Sequence, residues 1–229
     1  MDNDFQFPNK PKRKLLLVWI ILILLVICTG YFLIKYLKKN QNNVQNSTTE
    51  QNINSNSQNI SVTENKNGLV APIDEFKERI TKKPFGIYIT PQNSPAQPEK
   101  FTGFHTGIDV EYQDVGSDVP VYAVADAKIL AAKTVSGYGG VIIISLIING
   151  VEHSVLYGHI RPSTLPKIGS NVKKGEQLAL LGTGYSSETD GERKHLHFAI
   201  LSDSRIDYRG YVQNKSELSS WIDPLTLYK

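Results

Sequence analysis

The stretch HLHFAIL at residues 195–201 begins with alternating polar and apolar side chains, as a half-buried β-strand does. Alternate side chains of an extended chain point to the same side, so His195 and His197 share one face of this strand. The opposite face is apolar and is expected to lie in the core, with Leu196, Phe198 and Ile200. The stretch therefore predicts a sheet that presents two imidazoles on the side away from its core.

Further strand signals surround this stretch. The runs PVYAVADAKILAA, GVIIISLII, EHSVLYGHI and EQLALLG are rich in β-branched and aromatic residues, and Gly-rich turns separate them. In the segment VIIIS, residues 141–144 are apolar at every position, which is typical of a central strand covered on both faces. Residues 81–229 are therefore predicted to form an all-β domain, a mostly antiparallel β-sandwich or partly closed barrel.

The N-terminal part of the chain has a different composition. After a tail at residues 1–14, residues 15–34 read LLLVWIILILLVICTGYFLI, without a charge. At about 1.5 Å per residue, this run crosses an apolar bilayer core of about 30 Å as a helix. Its length exceeds the roughly 7 to 15 apolar residues of a cleaved signal peptide. We therefore expect a single transmembrane helix that anchors the chain in the cytoplasmic membrane.

Basic residues indicate the orientation of this span. Four precede it and three follow it, which favours a cytoplasmic N-terminus and a C-terminal domain outside the membrane of a bacterium. Residues 35–68 are predicted to form a juxtamembrane and disordered tether, because residues 40–68 include ten Asn and four Gln and few apolar side chains. A short helix is expected at residues 69–80, where Ile73, Phe76 and Ile80 follow helical spacing.

The distribution of charge excludes one class of partner. The chain carries a net charge of +3, but residues 81–229 contain 15 basic and 15 acidic side chains. The excess belongs to the anchor region, so a nucleic-acid partner has no support, since it requires a basic face on the folded domain. The single cysteine, Cys28, lies in the predicted span, so no disulfide stabilises the domain.

Histidines and an aspartate form the pattern of a metal site. His105 and Asp109 share one face of the segment HTGID. A hydrolytic zinc site needs three protein ligands and one open position, and these two residues with either His195 or His197 supply that set. An HExxH motif is absent, so the second histidine of the pair, together with His159 of the segment YGH, is the candidate to handle protons and stabilise an oxyanion.

These motifs, taken together, resemble those of the lysostaphin-type, or LytM-like, zinc endopeptidases that cut peptide bonds in bacterial peptidoglycan. The resemblance covers roughly residues 84–224 and rests on PFG, HTGID, GYG, YGHI, the spaced Gly169, Val172 and Gly175, and HLHF. It implies a Zn²⁺ ion held by His105, Asp109 and His197, with His159 and His195 as the catalytic pair. It also implies hydrolysis of peptidoglycan stem or cross-bridge peptides. The chain departs from the family at Glu192-Arg193-Lys194, where a small Gly-Pro type lead is usual, and at Ala199, where an acidic residue is usual.

Two other interpretations remain open. The domain would be a non-catalytic LytM-like module that binds the wall or activates a hydrolase in a division or sporulation complex, although the intact His159 and His195 favour an enzyme. The segment GSNVKKGEQLALLG alone resembles biotinyl or lipoyl carriers, but Lys128 lies in a predicted strand and not at a hairpin tip.

His153, shortly after the turn at Asn149-Gly150, is expected to be an exposed surface residue, and Tyr157 is expected to be a half-buried aromatic.

Overall fold

A computed structural model describes residues 65–229 of the chain. The predicted tail, the predicted membrane span and residues 35–64 of the predicted tether lie outside these residues. Within residues 65–229, no helix combines the length and the apolar composition that crossing a bilayer requires.

The regular secondary structure of the described residues consists mainly of short and medium β-strands. The strands are β1 Tyr88–Ile89, β2 Gly103–His105, β3 Ile108–Glu111, β4 Pro120–Tyr122, β5 Ala127–Val135, β6 Gly139–Ile148, β7 Val151–Ile160, β8 Asn171–Val172, β9 Gln177–Leu180, β10 His195–Leu201, β11 Tyr211–Val212 and β12 Trp221–Ile222. Within residues 65–229, helical structure is limited to three 3-10 turns and one α-helical turn, which are Pro162–Thr164, Ser187–Thr189, Lys215–Ser220 and α1, Pro224–Leu227. The prediction of an all-β domain is confirmed.

A seven-stranded antiparallel sheet forms the centre of this domain. Its order is β12-β10-β7-β6-β5-β8. The seventh strand, β3, pairs with the first part of β10, and β12 pairs with the end of β10 along the same edge. No pairing within the described residues joins β8 to the opposite edge, so the sheet is open and does not close into a barrel. Two smaller sheets accompany it, one of β1, β2 and β11 and one of β4 and β9.

Apolar side chains cover the central sheet on both faces. Ile142 and Ile144 of β6 belong to one hydrophobic cluster, while Val141 and Ile143 belong to a second cluster on the other face. All four are fully buried, which confirms β6 as a central strand. In β10 the apolar face packs into the first cluster through Leu196, Phe198 and Ile200, as the alternation predicts.

The segment at residues 72–80 is a series of turns, so the predicted helix is wrong. Glu75 has a φ of 49°, in the left-handed region that a right-handed helix of L-residues excludes. The carbonyls of Pro72 and Arg79 accept hydrogen bonds from the main chain of Tyr122 and Glu111, at 2.8 and 2.9 Å. Tertiary hydrogen bonds with the strands therefore replace part of the helical pattern.

The apolar residues of this segment are nevertheless buried in the domain. Ile73 and Phe76 lie in the first hydrophobic cluster, and the ring of Phe76 contacts that of Phe198 edge to face, with centroids 5.7 Å apart. Asn65 donates a hydrogen bond of 3.0 Å to the carbonyl of Leu227 near the C-terminus. The domain core thus extends upstream of Thr81, and residues 65–68 at the end of the predicted tether contact it.

Candidate metal centre

The register of β3 against β10 aligns the two motifs that contain most of the polar site residues. His197 lies opposite Asp109, and His195 lies opposite Glu111. His105 is the last residue of β2, and the turn at Thr106-Gly107 leads directly into β3. The predicted His105, Asp109 and His197 therefore come together, although β2 belongs to a different sheet.

One nitrogen or oxygen atom from each of these residues faces a common point. The Nε2 atom of His105 is 3.0 Å from Nδ1 of His197 and 3.2 Å from Oδ1 of Asp109. The latter two atoms are 3.1 Å apart. Ligands at zinc distances of about 2.0–2.1 Å in a tetrahedron lie about 3.3 Å from one another, so this triangle has the dimensions of three ligand positions. All three residues are buried, and together they form a group able to hold a metal ion.

The hydrogen bonds around His105 provide an independent test of this fit. Its Nδ1 donates to the carbonyl oxygen of Pro84 at 3.2 Å, so Nε2 is the nitrogen directed at the triangle, 3.2 Å from Oδ1 of Asp109. A ligating imidazole fixed by a carbonyl through its other nitrogen is the usual arrangement in metal sites.

Asp109 is ionised in this environment. Burial raises the pKa of its carboxyl, but the imidazoles of His105 and His195 and a hydrogen bond with His197 outweigh burial and hold the pKa well below its usual value. The site therefore offers one anionic oxygen and two imidazole nitrogens. This donor set suits Zn²⁺, since imidazole nitrogen and carboxylate oxygen are both common zinc ligands.

His195 lies beside this triangle. Its Nδ1 is 2.9 Å from the carbonyl of Arg193 and donates to it, which leaves Nε2 as the acceptor, 3.4 Å from Oδ2 of Asp109. Burial lowers the pKa of His195 well below the usual value, and Arg193 and His159 act in the same direction. The ring is therefore neutral near pH 7 and presents a lone pair at Nε2.

A β-bulge directs His159 toward the same site. The register of β7 against β6 shifts between Gly158 and Ile160, so His159 is the extra residue, with a φ of 62°. Its ring centroid is 4.1 Å from that of His195. Burial lowers the pKa of His159 to about 3, although the Asp109 carboxylate acts in the opposite direction, so the ring is neutral at physiological pH.

A cavity of about 270 Å³ opens onto these groups, and its lining includes Asp109, His159, His195 and His197. Four aromatic residues, Phe101, Tyr138, Tyr208 and Tyr211, contribute to the remaining wall. Nδ1 of His159 and the hydroxyl of Tyr138 are buried without a hydrogen-bond partner among the described residues. The cavity therefore combines imidazoles, a carboxylate and aromatic rings in its lining.

Two site residues escape the motif analysis. Arg193 is buried and bonds to Asp109 and Glu111, so the segment before β10 is not a solvated loop at this position. The sequence does contain a signal for both residues. Glu111 lies two positions after Asp109, and Arg193 lies two positions before His195, so in an extended chain each shares a face with a predicted site residue.

Three other expectations have clear outcomes. His153 is buried, not exposed, and its Nδ1 lies 2.8 Å from the carbonyl of Leu201, which binds it to the neighbouring strand. Tyr157 is fully buried in the core, not half-buried. Lys128 lies within β5, which removes the hairpin-tip position that a carrier lysine requires.

Comparison with protein families agrees with this site. Residues 103–208 match the model described as Peptidase family M23. This region of the chain is thus an M23 peptidase domain, and the resemblance to LytM-like enzymes is confirmed. Comparison with curated proteins gives no match.

Solved structures with a similar fold include three that differ in their coverage. Helicobacter pylori Csd3 is 23% identical with a TM-score of 0.41, over 64% of this chain and 35% of that one. LytU is 24% identical with a TM-score of 0.42, over 66% of this chain and 92% of that one. A SpoIIQ–SpoIIIAH pore-forming complex gives 20% identity and a TM-score of 0.44, over 72% and 92%. The chain thus matches about a third of the length of Csd3.

Proposed function

We propose that this protein is a membrane-anchored zinc endopeptidase that hydrolyses peptide bonds in the stem or cross-bridge peptides of peptidoglycan. The observation that carries the proposal is the convergence of His105 Nε2, Asp109 Oδ1 and His197 Nδ1 to within 3.2 Å of one another beside two further imidazoles. Membership of the M23 peptidase family in this region supports a metallopeptidase.

In this proposal His105, Asp109 and His197 hold the Zn²⁺ ion. A zinc ion in such a site supplies Lewis acidity, which lowers the pKa of water at an open position to about 7 and polarises a carbonyl group. The protein contributes a buried environment in which one carboxylate and two neutral imidazoles leave a net positive charge on the ion.

His195 and His159 are the proposed catalytic pair. Nε2 of His195 is an unprotonated acceptor near the carboxylate of Asp109, and the Arg193 carbonyl fixes the ring in this tautomer. This geometry supports a role in accepting a proton from the attacking water. His159 lines the same cavity, and its Nδ1 atom has no hydrogen-bond partner within residues 65–229, which supports a role in handling a proton of the substrate. Aromatic walls would hold the peptide backbone flat against these groups.

The same proposal includes the location. Residues 15–34 would anchor the chain in the cytoplasmic membrane with the N-terminus inside, and the M23 domain would lie outside. A flexible tether of about 30 residues spans roughly 30 Å on average and about 100 Å when stretched. This reach would bring the site to the inner layers of the wall, where division or sporulation complexes offer additional partners.

Incubation of the detergent-solubilised protein with peptidoglycan tests the enzyme directly. We expect mass spectrometry to show released muropeptides with new peptide termini in the presence of stoichiometric zinc, and none after chelation. His195→Ala should retain zinc and abolish release, because it removes the proton acceptor and no ligand. Zinc-loaded protein that releases nothing, together with full complementation of a deletion strain by His195→Ala, would instead favour the wall-binding or hydrolase-activating scaffold.

A further inference from the structure

Arg193 is a buried cation directly behind the candidate metal ligand Asp109. Only 5% of its surface is exposed, although it lies in a loop just before β10. Its Nη2 atom donates to Oδ2 of Asp109 at 2.7 Å. Nη2 and Nε also form a two-point contact with the carboxylate of Glu111, at 2.7 and 2.9 Å. A guanidinium buried with two carboxylates is a defined structural unit, since its planar fork matches their geometry.

The strand register explains how this unit forms. Asp109 and Glu111 are two residues apart in β3 and therefore share a face. Glu111 lies opposite His195 in β10, and Arg193 is two residues before His195 on the same chain. The side chain of Arg193 thus extends from the end of β10 along the row of polar groups that ends at the metal ligands.

The two oxygens of Asp109 have separate partners. Oδ1 is 3.2 Å from Nε2 of His105 and 3.1 Å from Nδ1 of His197, within the ligand triangle. Oδ2 accepts the bond from Arg193 and is 3.4 Å from Nε2 of His195. One oxygen is therefore directed to the metal position, and the other is directed to the guanidinium.

We propose that Arg193 is a positioning residue that keeps Asp109 bound to the metal through a single oxygen, and that Glu111 in turn fixes Arg193. The inference rests on the proposed metal centre. A carboxylate can bind a cation through one oxygen or through both, and a charge-assisted bond of 2.7 Å opposes the rotation that would bring Oδ2 to the ion. A one-oxygen ligand leaves a coordination position free for water, which a hydrolytic site requires.

This role depends on the guanidinium group and not on positive charge alone. The fork reaches two carboxylates at once, whereas an ammonium group is a point charge that does not align two carboxylates in one plane. Lys82, whose Nζ is 3.9 Å from Glu111, is partly exposed and shows no contact with Asp109. We therefore expect Arg193→Lys to recover only part of the effect.

The test measures metal binding by the full-length protein in detergent. Zinc affinity is obtained by competition with a chromophoric chelator, and coordination by the visible absorption of the Co²⁺-substituted protein. Arg193→Met should weaken zinc binding about 10- to 100-fold, the range found when groups that orient a ligand are removed. Its Co²⁺ spectrum should lose intensity and shift, since a second carboxylate oxygen moves the ion away from a tetrahedral environment.

A second variant separates positioning from folding. Arg193→Met leaves the buried Glu111 with only the more distant Lys82 as a cationic partner, which by itself destabilises the domain. The double variant Arg193→Met/Glu111→Gln removes both charges, so we expect thermal unfolding near that of the native protein but the same weakened zinc binding and altered Co²⁺ spectrum. Arg209→Met, an exposed arginine paired with Asp207, is the matched control and should change neither.

The outcomes distinguish this inference from the proposed function. Native protein that binds neither zinc nor Co²⁺ contradicts the metal centre and the positioning role together. Tight binding by the native protein, with the same affinity and the same spectrum in the double variant, contradicts the positioning role alone. Full recovery by Arg193→Lys would show that charge suffices and would overturn the argument from the fork.

Discussion

At the scale of single residues, the candidate site depends on which atom of each side chain faces the common point. Nε2 of His105 and Nδ1 of His197 lie 3.2 and 3.1 Å from Oδ1 of Asp109 in a buried space. The sequence identifies the residue types, and the family resemblance selects His197 over His195. Neither reveals which oxygen or nitrogen of each side chain faces the common point, because that depends on hydrogen bonds with distant residues such as Pro84.

Substitution of Asp109 tests the anionic ligand. Asp109→Asn keeps the shape of the side chain and removes its charge, so zinc affinity should fall by more than about 100-fold, exceeding the loss caused by an orienting group. Metal content after gel filtration and competition with a chelator measure this change. Asp126→Asn is the control, since this exposed carboxylate pairs with Lys173 away from the site. An unchanged zinc content in Asp109→Asn would contradict the ligand assignment.

The neutral state of His159 predicts how stability depends on pH. Burial lowers its pKa in the folded protein to about 3, whereas an imidazole in an unfolded chain has a pKa of about 6.5. Between these values the unfolded state binds a proton that the folded state does not, so the free energy of unfolding falls as the pH decreases below about 6.5, by up to about 1.4 kcal/mol per pH unit.

Urea unfolding of the metal-free compact unit Ile60–Lys229 from pH 7 to pH 4 measures this slope. His159→Gln cannot take up the proton, and its stability should therefore decrease less steeply over this range. Equal slopes for the two proteins would show that His159 does not contribute to acid destabilisation.

At the scale of secondary-structure elements, β-branched and aromatic composition predicts β5, β6 and β7, and alternation predicts β10, because each strand buries at least one apolar face. The turn segment at residues 72–80 has apolar residues at helical spacing, yet the carbonyls of Pro72 and Arg79 bond to strands instead. The bulge at His159 is also invisible in the sequence, because it arises from the pairing of β7 with β6. Local patterns thus predict regular strands and miss backbone that tertiary hydrogen bonds determine.

The close approach of β3 to β10 predicts a requirement for glycine at position 107. A Cβ added to Gly107 would lie 2.5 Å from the carbonyl oxygen of Phe198, a backbone atom that cannot move without shifting β10. Gly107→Ala should therefore destabilise the domain by about 1–3 kcal/mol and weaken metal binding by displacing His105 from Asp109.

Thermal unfolding and zinc competition of the same variant check both effects. Gly116→Ala provides the control, since an added Cβ there has no neighbour within 4 Å. Native-like stability of Gly107→Ala would contradict this prediction, because it would show that β3 and β10 can move apart without lowering the free energy of unfolding.

At the scale of the whole molecule, the candidate metal centre connects two separate sheets. His105 ends β2 in the three-stranded sheet, whereas Asp109 and His197 lie in β3 and β10 of the seven-stranded sheet. The all-β class is predictable from strand composition, and the meeting of the three motifs is implied by residue types that together suit a metal and by the family resemblance. The division into an open central sheet and two smaller sheets is not predictable, because pairing between distant strands leaves no local signal.

This connection predicts that metal binding stabilises the entire domain and not only the site. An ion that binds the folded state alone raises the free energy of unfolding by about 2.7 kcal/mol when its free concentration is 100 times Kd. For a domain of this size that corresponds to a rise in Tm of roughly 5–10 °C. Calorimetry of Ile60–Lys229 with zinc and with excess chelator should show one cooperative transition that shifts by this amount.

The variant Asp109→Asn separates specific binding from a general effect of the ion, and its Tm should be the same with zinc and with chelator. A native protein whose Tm does not respond to zinc would contradict a metal bridge between the sheets. Two resolved transitions, with only one sensitive to zinc, would show that the sheets unfold independently. A single zinc-dependent transition is expected because only the two-residue turn Thr106-Gly107 separates β2 from β3. The two sheets therefore cannot move apart here without also moving His105 away from Asp109.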